Sequence, residues 1–481
     1  PIFFGSNANV IRLEPPACIG FAEMDRLIAA LQTVCDMLRR RDAFPLAAGV
    51  CADLIPELAP REEDFLKVHS VPKPDAGTRV VARVAFINHL IDADMLSEVD
   101  PSLAALSAEQ KRIFIQRMAP ERRAAPIGPV LIRSRLGTAV EFTLYPLCMD
   151  SDAMADYIAS GELDVIRKEV GERIRDARAD GYSVAGLGMY TSIVTNNCQA
   201  LKIPDMALTS GNALTIGMGL EAIEQGCLQQ GLVLAEQTAA VVGAAGNIAS
   251  TYASLLSEKV DHLLLLGSGR DGSLRRLEKT AQLIYADAAR AILAGNVEHD
   301  RLASRLQRLD GLAALLDEHG EAPDLGLRLM RFVEQKAGPN AFITLSNDMQ
   351  LLKGARIVLC AANAPQPFLG AEHFAEHSVI CDIAVPLNVD QDLPSQRADL
   401  LYMHGGIVQT PLGDGLVPNV RAYLKEGQLY ACMAESVLMG LSGMQQHYSF
   451  GDISRQQVQQ IRAIAATHGF SLAQFKTANS L

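Results

Sequence analysis

The sequence predicts an α/β protein centred on a doubly wound parallel sheet, and three observations lead there. Residues 238–249, Thr-Ala-Ala-Val-Val-Gly-Ala-Ala-Gly-Asn-Ile-Ala, read as an apolar strand running through a glycine turn into a helix. Further apolar runs at 262–267, 355–361, 378–384 and 399–403 have the continuous hydrophobic character of strands covered on both faces. Helical patterns separate these runs, as parallel crossovers require. The composition agrees, since 49% of the 481 residues are apolar and 20% charged, a globular balance for two or three domains. A formal charge of −12, no Trp and 5% aromatics exclude a nucleic-acid surface, which needs basic stripes and stacking rings, and the apolar content excludes disorder.

In chain order, residues 11–38 give a short strand, a break at Pro15-Pro16 and an amphipathic helix with Leu27, Ala30, Leu31, Val34 and Leu38 on one face. Pro56, Pro60, Pro72 and Pro74 among many charges make 52–79 a linker. A smaller α/β lobe occupies 80–230. It contains a β-branched strand at 80–90, strand-like alternation at 133–147, a charged helix at 150–180, polar turns from 186 to 219 and a helix to about 230. The parallel sheet occupies 231–420 with a helix-rich insertion at 273–338, and C-terminal helices follow at 421–481. The uncharged run 237–257 is long enough to cross a bilayer, but Gly243, Gly246 and Asn247 interrupt it, so no transmembrane segment is expected. Nine cysteines without a CxxC pair or zinc-type spacing read as reduced cytoplasmic thiols and no metal site.

Gly243, Gly246 and Ala249 form GxxGxxA. The first glycine permits a tight turn, the second lets backbone approach a pyrophosphate and the small third residue allows close helix packing, with Ala244, Asn247 and Ile248 completing the turn. A plain strand-to-helix turn is the alternative. At the end of the second strand, where NAD enzymes place an acidic residue, the chain has Ser268 and Arg270, which suit a 2′-phosphate and favour NADPH. Asp271 opposes that preference. Asn363 and Gly405, past later strands, complete the expected cofactor set in a Rossmann-type domain.

From about Arg79 to the C-terminus, leaving out the insertion, the chain resembles the cyanobacterial-type long-chain acyl-(acyl carrier protein) reductases that form fatty aldehydes. The matching segments are Phe86-Ile-Asn-His-Leu90, Gly186-Leu-Gly-Met-Tyr-Thr-Ser-Ile-Val194, Thr209-Ser-Gly-Asn212, Val242-Gly-Ala-Ala-Gly-Asn-Ile248, Gly405-Gly-Ile-Val408, Ala431-Cys-Met-Ala-Glu435 and His468-Gly-Phe470. The resemblance implies that Cys432 is the nucleophile that takes the acyl group from its thioester. Residues 1–51, through the strand, the double proline and the helix, resemble the C-terminal tail of a class III pyridoxal-phosphate aminotransferase. That implies a natural chain continuing upstream, an aldehyde converted to an amine, and no Schiff-base lysine in the tail. A helical cap private to the next domain is the other reading.

The residues of Cys432's own segment give two readings. It follows Gly427 at the start of a predicted helix, where the dipole favours a thiolate, yet a free cysteine also serves as a small core hydrophobe. Cys360 and Cys381 lie in apolar strands and read as core. Glu435, one turn beyond Cys432, either orients the site or opposes a thiolate. Ser210, Gly211 and Asn212 present backbone and amide donors to a substrate carbonyl, or cap the following helix. The chain departs from the family pattern here, with Ala213 and Leu214 in place of Thr and His. His89 and His468 fall in matching segments and His404 directly precedes one, but all three read as structural. Lys111, Arg112, Arg117, Arg122, Arg123, Arg133 and Arg135 against Glu121 either dock an acidic carrier protein or a coenzyme A phosphate, or form a solvated face.

The expected activity is NADPH-dependent reduction of an acyl thioester, on acyl carrier protein or coenzyme A, to an aldehyde through a thioacyl-Cys432. An NADP-dependent dehydrogenase of a small keto or hydroxy acid and a non-catalytic NADP-binding module are the alternatives.

Overall fold

The computed structural model describes residues 2–4, 11–13, 19–40, 78–99, 101–118, 126–364, 366–384, 386–416 and 424–473. The chain divides into two compact units, Pro1–His69 with Ala93–Pro120, and Ser70–Asp92 with Glu121–Leu481. Pro15-Pro16 and the expected linker up to residue 77 lie outside the described residues.

In the first unit, β1 (Ile2–Phe4) pairs antiparallel with β2 (Ile11–Leu13). Helix α1 (Phe21–Arg40) starts where the Gly20 N–H donates to Glu23 Oε2 and ends on Arg39 and Arg40, charges that suit the helix dipole. The expected helix is present with Leu27 and Leu31 half-buried, but Phe21, Ile28 and Val34 are 93%, 49% and 47% exposed. Two further helices, α2 (Met95–Val99) and α3 (Ala108–Met118), complete the unit. Ser107 and Gln110 cap α3 reciprocally, each side chain accepting from the other's backbone N–H.

The second unit contains three sheets. In the first, β3 (Arg79–Leu90), β4 (Ile127–Arg133), β5 (Thr138–Asp150), β6 (Val184–Leu187) and β7 (Ala207–Thr209) lie in the order β4-β5-β3-β6-β7. All are parallel except the edge strand β4. The alternation read at 133–147 is therefore the end of one strand, a turn closed by Gly137 N–H on Ser134 O, and the next strand. The single helix expected at 150–180 is two, α4 (Ser151–Ser160) and α5 (Leu163–Ala179), because Gly161 ends the first in a left-handed cap. Ile87, Tyr145, Leu147, Met154, Ile166 and Ile174 bury the helices' apolar stripes on the sheet. The short α6 (Tyr190–Val194) and long α7 (Asn212–Gln229) follow.

The second sheet begins with β8 (Thr238–Val242), α8 (Asn247–Ser257) and β9 (His262–Leu266). The insertion forms α9 (Ser273–Leu293), α10 (Arg301–Leu306), α11 (Leu312–His319) and α12 (Leu325–Ala337). It ends at a strand the sequence reading missed, β10 (Ile343–Ser346), before β11 (Ile357–Cys360), β12 (Val379–Asp382) and β13 (Leu401–His404). All six strands are parallel in the order β10-β9-β8-β11-β12-β13. The order reverses between β8 and β11, and such a switch point opens a crevice at the carboxyl ends of the strands. The run 237–257 is thus a strand, a turn and an 11-residue helix. Among the described residues no helix is long and apolar enough to cross a membrane.

The third sheet is antiparallel, with β14 (Ile407–Gln409) between β15 (Gln428–Tyr430) and β16 (Ser471–Leu472). β15 runs directly into α13 (Ala431–Leu441), and α14 (Arg455–His468) is capped reciprocally by Ser454 and Gln457.

Candidate active site

Cys432 is the second residue of α13. Opposite it, Gly211 caps α7 with φ 72°, and a Cβ added there would lie 2.2 Å from Cys432 Cα. The two helix starts therefore meet backbone to backbone, and no other residue fits at 211 without moving one of them. A Cβ at Gly188, just past β6, would lie 3.3 Å from Cys432 Sγ. The thiol is thus held at the carboxyl end of the five-stranded sheet.

The second sheet contributes the turn after β8. Gly243 has φ 79°, and a Cβ there would lie 2.7 Å from Ala362 Cα, so the turn passes tightly against the chain leaving β11 at the switch point. The Gly246 N–H donates to Gly243 O, and α8 begins immediately after. Ser210, Asn212 and Cys432 line one cavity together with Gly246, Asn363 and Asp382. Residues from the carboxyl ends of both parallel sheets converge there.

Burial pushes the Cys432 thiol up to about 12, against the lowering effect of the Met433 and Cys432 N–H groups. The helix start does favour a thiolate, as expected, but lost solvation and the Glu435 carboxyl outweigh its two N–H groups. Glu435 is fully buried and bonds to the turn after β7, and its charge also pushes the Cys432 thiol up, the opposition to a thiolate that the sequence raised. Thr209 Oγ1 donates to its Oε1 and the Leu214 N–H donates to Oε2 at 2.7 Å. Burial raises its carboxyl while those hydrogen bonds, with Ser449 and Ala213, lower it.

The same network overturns part of the reading of residues 210–212 as carbonyl donors. The Ser210 N–H donates to Ser449 O, the Gly211 N–H to Thr209 Oγ1 and the Ala213 N–H to Ser449 Oγ. With Leu214 N–H on Glu435, these backbone donors are occupied within the protein. The Asn212 amide donates to Asn197 Oδ1 at 3.1 Å.

Of the expected cofactor residues, Gly246, Asn247, Ile248 and Asn363 line the cavity, while Gly243 and Ala244 form the turn behind it. Asn247 Nδ2 also donates to Asp452 Oδ1. Ser268 and Arg270 are exposed in the loop after β9 and are not part of the cavity wall. Gly405 is a correction. It packs inward, where a Cβ would lie 2.1 Å from Cys381 Sγ, and its neighbours His404 and Gly406 reach the cavity instead.

His89 and His468 are structural. His89 is fully buried, its Nδ1 on Leu90 O and its Nε2 accepting the Tyr190 N–H, and burial pushes it down to about 4. Ser134 and Ser442 hydroxyls flank the two nitrogens of His468. Of the basic segment, Arg112, Arg117 and Arg135 are exposed. Lys111 is 6% exposed and bonded to Asp94, Arg133 is held by Asp414, and Arg135 Nε donates to Thr467 O. Residues 121–123 lie outside the described residues.

Sequence reasoning missed Asp382, the last residue of β12. Its carboxylate accepts the Ala384, Asn388 and Val389 N–H groups, yet burial pushes it up to about 7. It also missed the cavity-lining Met189 and Asn197, both with positive φ. Asn196, Asn197 and Cys198 are three successive left-handed residues, a strain the Asn-Asn pair tolerates best and the one signal in the sequence that marked them.

No protein-family model matches the chain. It is similar to Aminotransferase PigE of Serratia sp. (strain ATCC 39006), with 26% identity over 310 residues. The match takes in 63% of this chain and 30% of PigE, so the chain spans less than a third of that relative's length. A match of that extent is not confined to residues 1–51 and takes in part of the body that follows.

Proposed function

We propose that the protein reduces an acyl thioester, carried by acyl carrier protein or coenzyme A, to an aldehyde with NADPH through a thioacyl intermediate on Cys432. The observation that carries this reading is that Cys432 and the start of α8 line one cavity. A dinucleotide fits the tight Gly243 turn and the α8 N-terminus, whose N–H groups suit a pyrophosphate, with Gly246, Asn247, Ile248 and Asn363 along the wall. When bound, NADPH supplies the hydride that reduces the thioacyl carbonyl.

The chain's own residues account for the rest. Cys432 starts as a thiol. Its sulfur forms a bond to the acyl carbon, the carbon–sulfur bond to the carrier breaks, and the cysteine proton leaves on the carrier thiol. Phe86, Met189 and Ile193 form an apolar wall that protects the thioacyl group from hydrolysis. The Cys432 sulfur is the leaving group when the aldehyde departs. The exposed apolar side chains of α1, and a relative named as an aminotransferase, support a longer chain in which that aldehyde becomes an amine.

Incubation of the protein with acetyl-, octanoyl- and palmitoyl-coenzyme A and the matching acyl carrier proteins, without cofactor, should add one acyl mass at Cys432 by peptide mass spectrometry. Cys432→Ala should take up no label and make no aldehyde. Full turnover by that variant would favour a dehydrogenase that has no use for the thiol. Ser268 and Arg270 at the end of β9 support NADPH over NADH, so Arg270→Ala should raise the KM for NADPH several-fold and leave NADH unchanged.

A further inference from the structure

The turn between β7 and α7 is unusually well held. Thr209 and Leu214 bond to Glu435, the Ser210 and Ala213 N–H groups bond to Ser449, and Gly211 abuts Cys432. Ser210 sits in the middle of this frame. It is 1% exposed and lines the cavity shared with Cys432, and its hydroxyl has no hydrogen-bond partner among the described residues. Burying a hydroxyl without a partner costs stability, so a folded protein gains nothing from it at rest.

We infer that the Ser210 hydroxyl is the hydrogen-bond donor to the acyl oxygen of the thioester that reacts at Cys432. This rests on the acyl-thioester reading above. When the sulfur bonds to the acyl carbon, the carbonyl electron pair moves onto oxygen, and that charge lasts until the carrier thiolate leaves and the carbonyl re-forms. The exchange balances with no external oxidant or reductant, and its oxygen needs a donor rather than a proton. The backbone N–H groups at 210, 211, 213 and 214 are already occupied, and beside the Asn212 N–H at the start of α7 the Ser210 hydroxyl is the buried side-chain donor of this turn left without a partner in the cavity. Glu435 acts as a positioning residue, since it bonds to Thr209 and Leu214 at both ends of the turn.

The test measures two reactions of Cys432 in wild type and Ser210→Ala, both without cofactor. One is acylation by whichever coenzyme A or carrier thioester labels wild type fastest. The other is alkylation by iodoacetamide, a displacement that generates no oxyanion. Ser210→Ala should slow acylation on the order of 100-fold, the loss typical of one oxyanion donor, and leave alkylation unchanged. Its urea midpoint should equal or exceed the wild-type value, because no bond is lost. Ser210→Gly removes the same hydroxyl and should give the same split, so a folding defect in one variant does not decide the result. Acylation at the wild-type rate, or equal slowing of both reactions, overturns the inference while leaving the thioacyl reading standing. If no thioester labels wild type, the thioacyl reading itself falls and takes this one with it.

Discussion

At the residue scale, the environment of Cys432 sets how its chemistry responds to pH. With the thiol pushed up to about 12, only a small thiolate fraction exists at neutrality. Iodoacetamide alkylation should therefore accelerate about tenfold per pH unit from pH 7 to 10, with no plateau near 8.5, the ordinary cysteine value. A plateau below pH 9 in the alkylation profile would show that the resting site stabilises a thiolate. Gly211 offers a second test. Alanine there meets a left-handed φ, which costs about 1–2 kcal/mol, and also a Cβ 2.2 Å from Cys432 Cα. Gly211→Ala should lower the urea midpoint and slow alkylation together, since the displaced atom belongs to Cys432 itself.

At the scale of elements, the carboxyl end of β12 stores a pH response. Asp382 is raised from 3.8 to about 7 by burial, although three N–H groups point at it. Below about pH 4 both folded and unfolded chains hold its proton. Between about 4 and 7 the folded chain keeps a proton that the unfolded chain has released, so Asp382's contribution lowers stability as pH rises through that window. The effect is at most about 1.4 kcal/mol per pH unit. Asp382→Asn should flatten this part of the stability profile in urea melts at pH 4.5, 5.5, 6.5 and 7.5. A slope identical to wild type would mean that the carboxyl titrates normally.

For the whole molecule, five strands of the six-stranded sheet were legible because they are continuous apolar runs, each followed by a break. β10 was missed because Ile-Thr-Leu-Ser alternates with polar residues at a sheet edge, directly after a long helical insertion. The Gly246 segment was legible from a local signal, a glycine turn, whereas Cys432 was singled out by the family resemblance, its own segment leaving a core cysteine equally open. Their convergence on one cavity was not legible, and neither was the occupation of the donors at 210–214 by Glu435 and Ser449, since hydrogen bonds across more than two hundred residues leave no periodicity to read. Helix α1 was legible as an amphipathic helix for the same reason that its covering was not, because periodicity gives a face and never a partner. With Phe21, Ile28 and Val34 so exposed and Leu27 and Leu31 only half-buried, α1 leans on its own helical propensity, which is marginal in water for a helix of 20 residues. Its amide hydrogens should exchange within seconds to minutes, while those of β8, β11 and β12 exchange only at the global limit. In a longer chain carrying an aminotransferase domain ahead of residue 1, burial of the apolar face should slow exchange at 21–40 by at least tenfold. Equally fast exchange there would mean that α1 does not pack on that domain and would remove the structural support for the fusion.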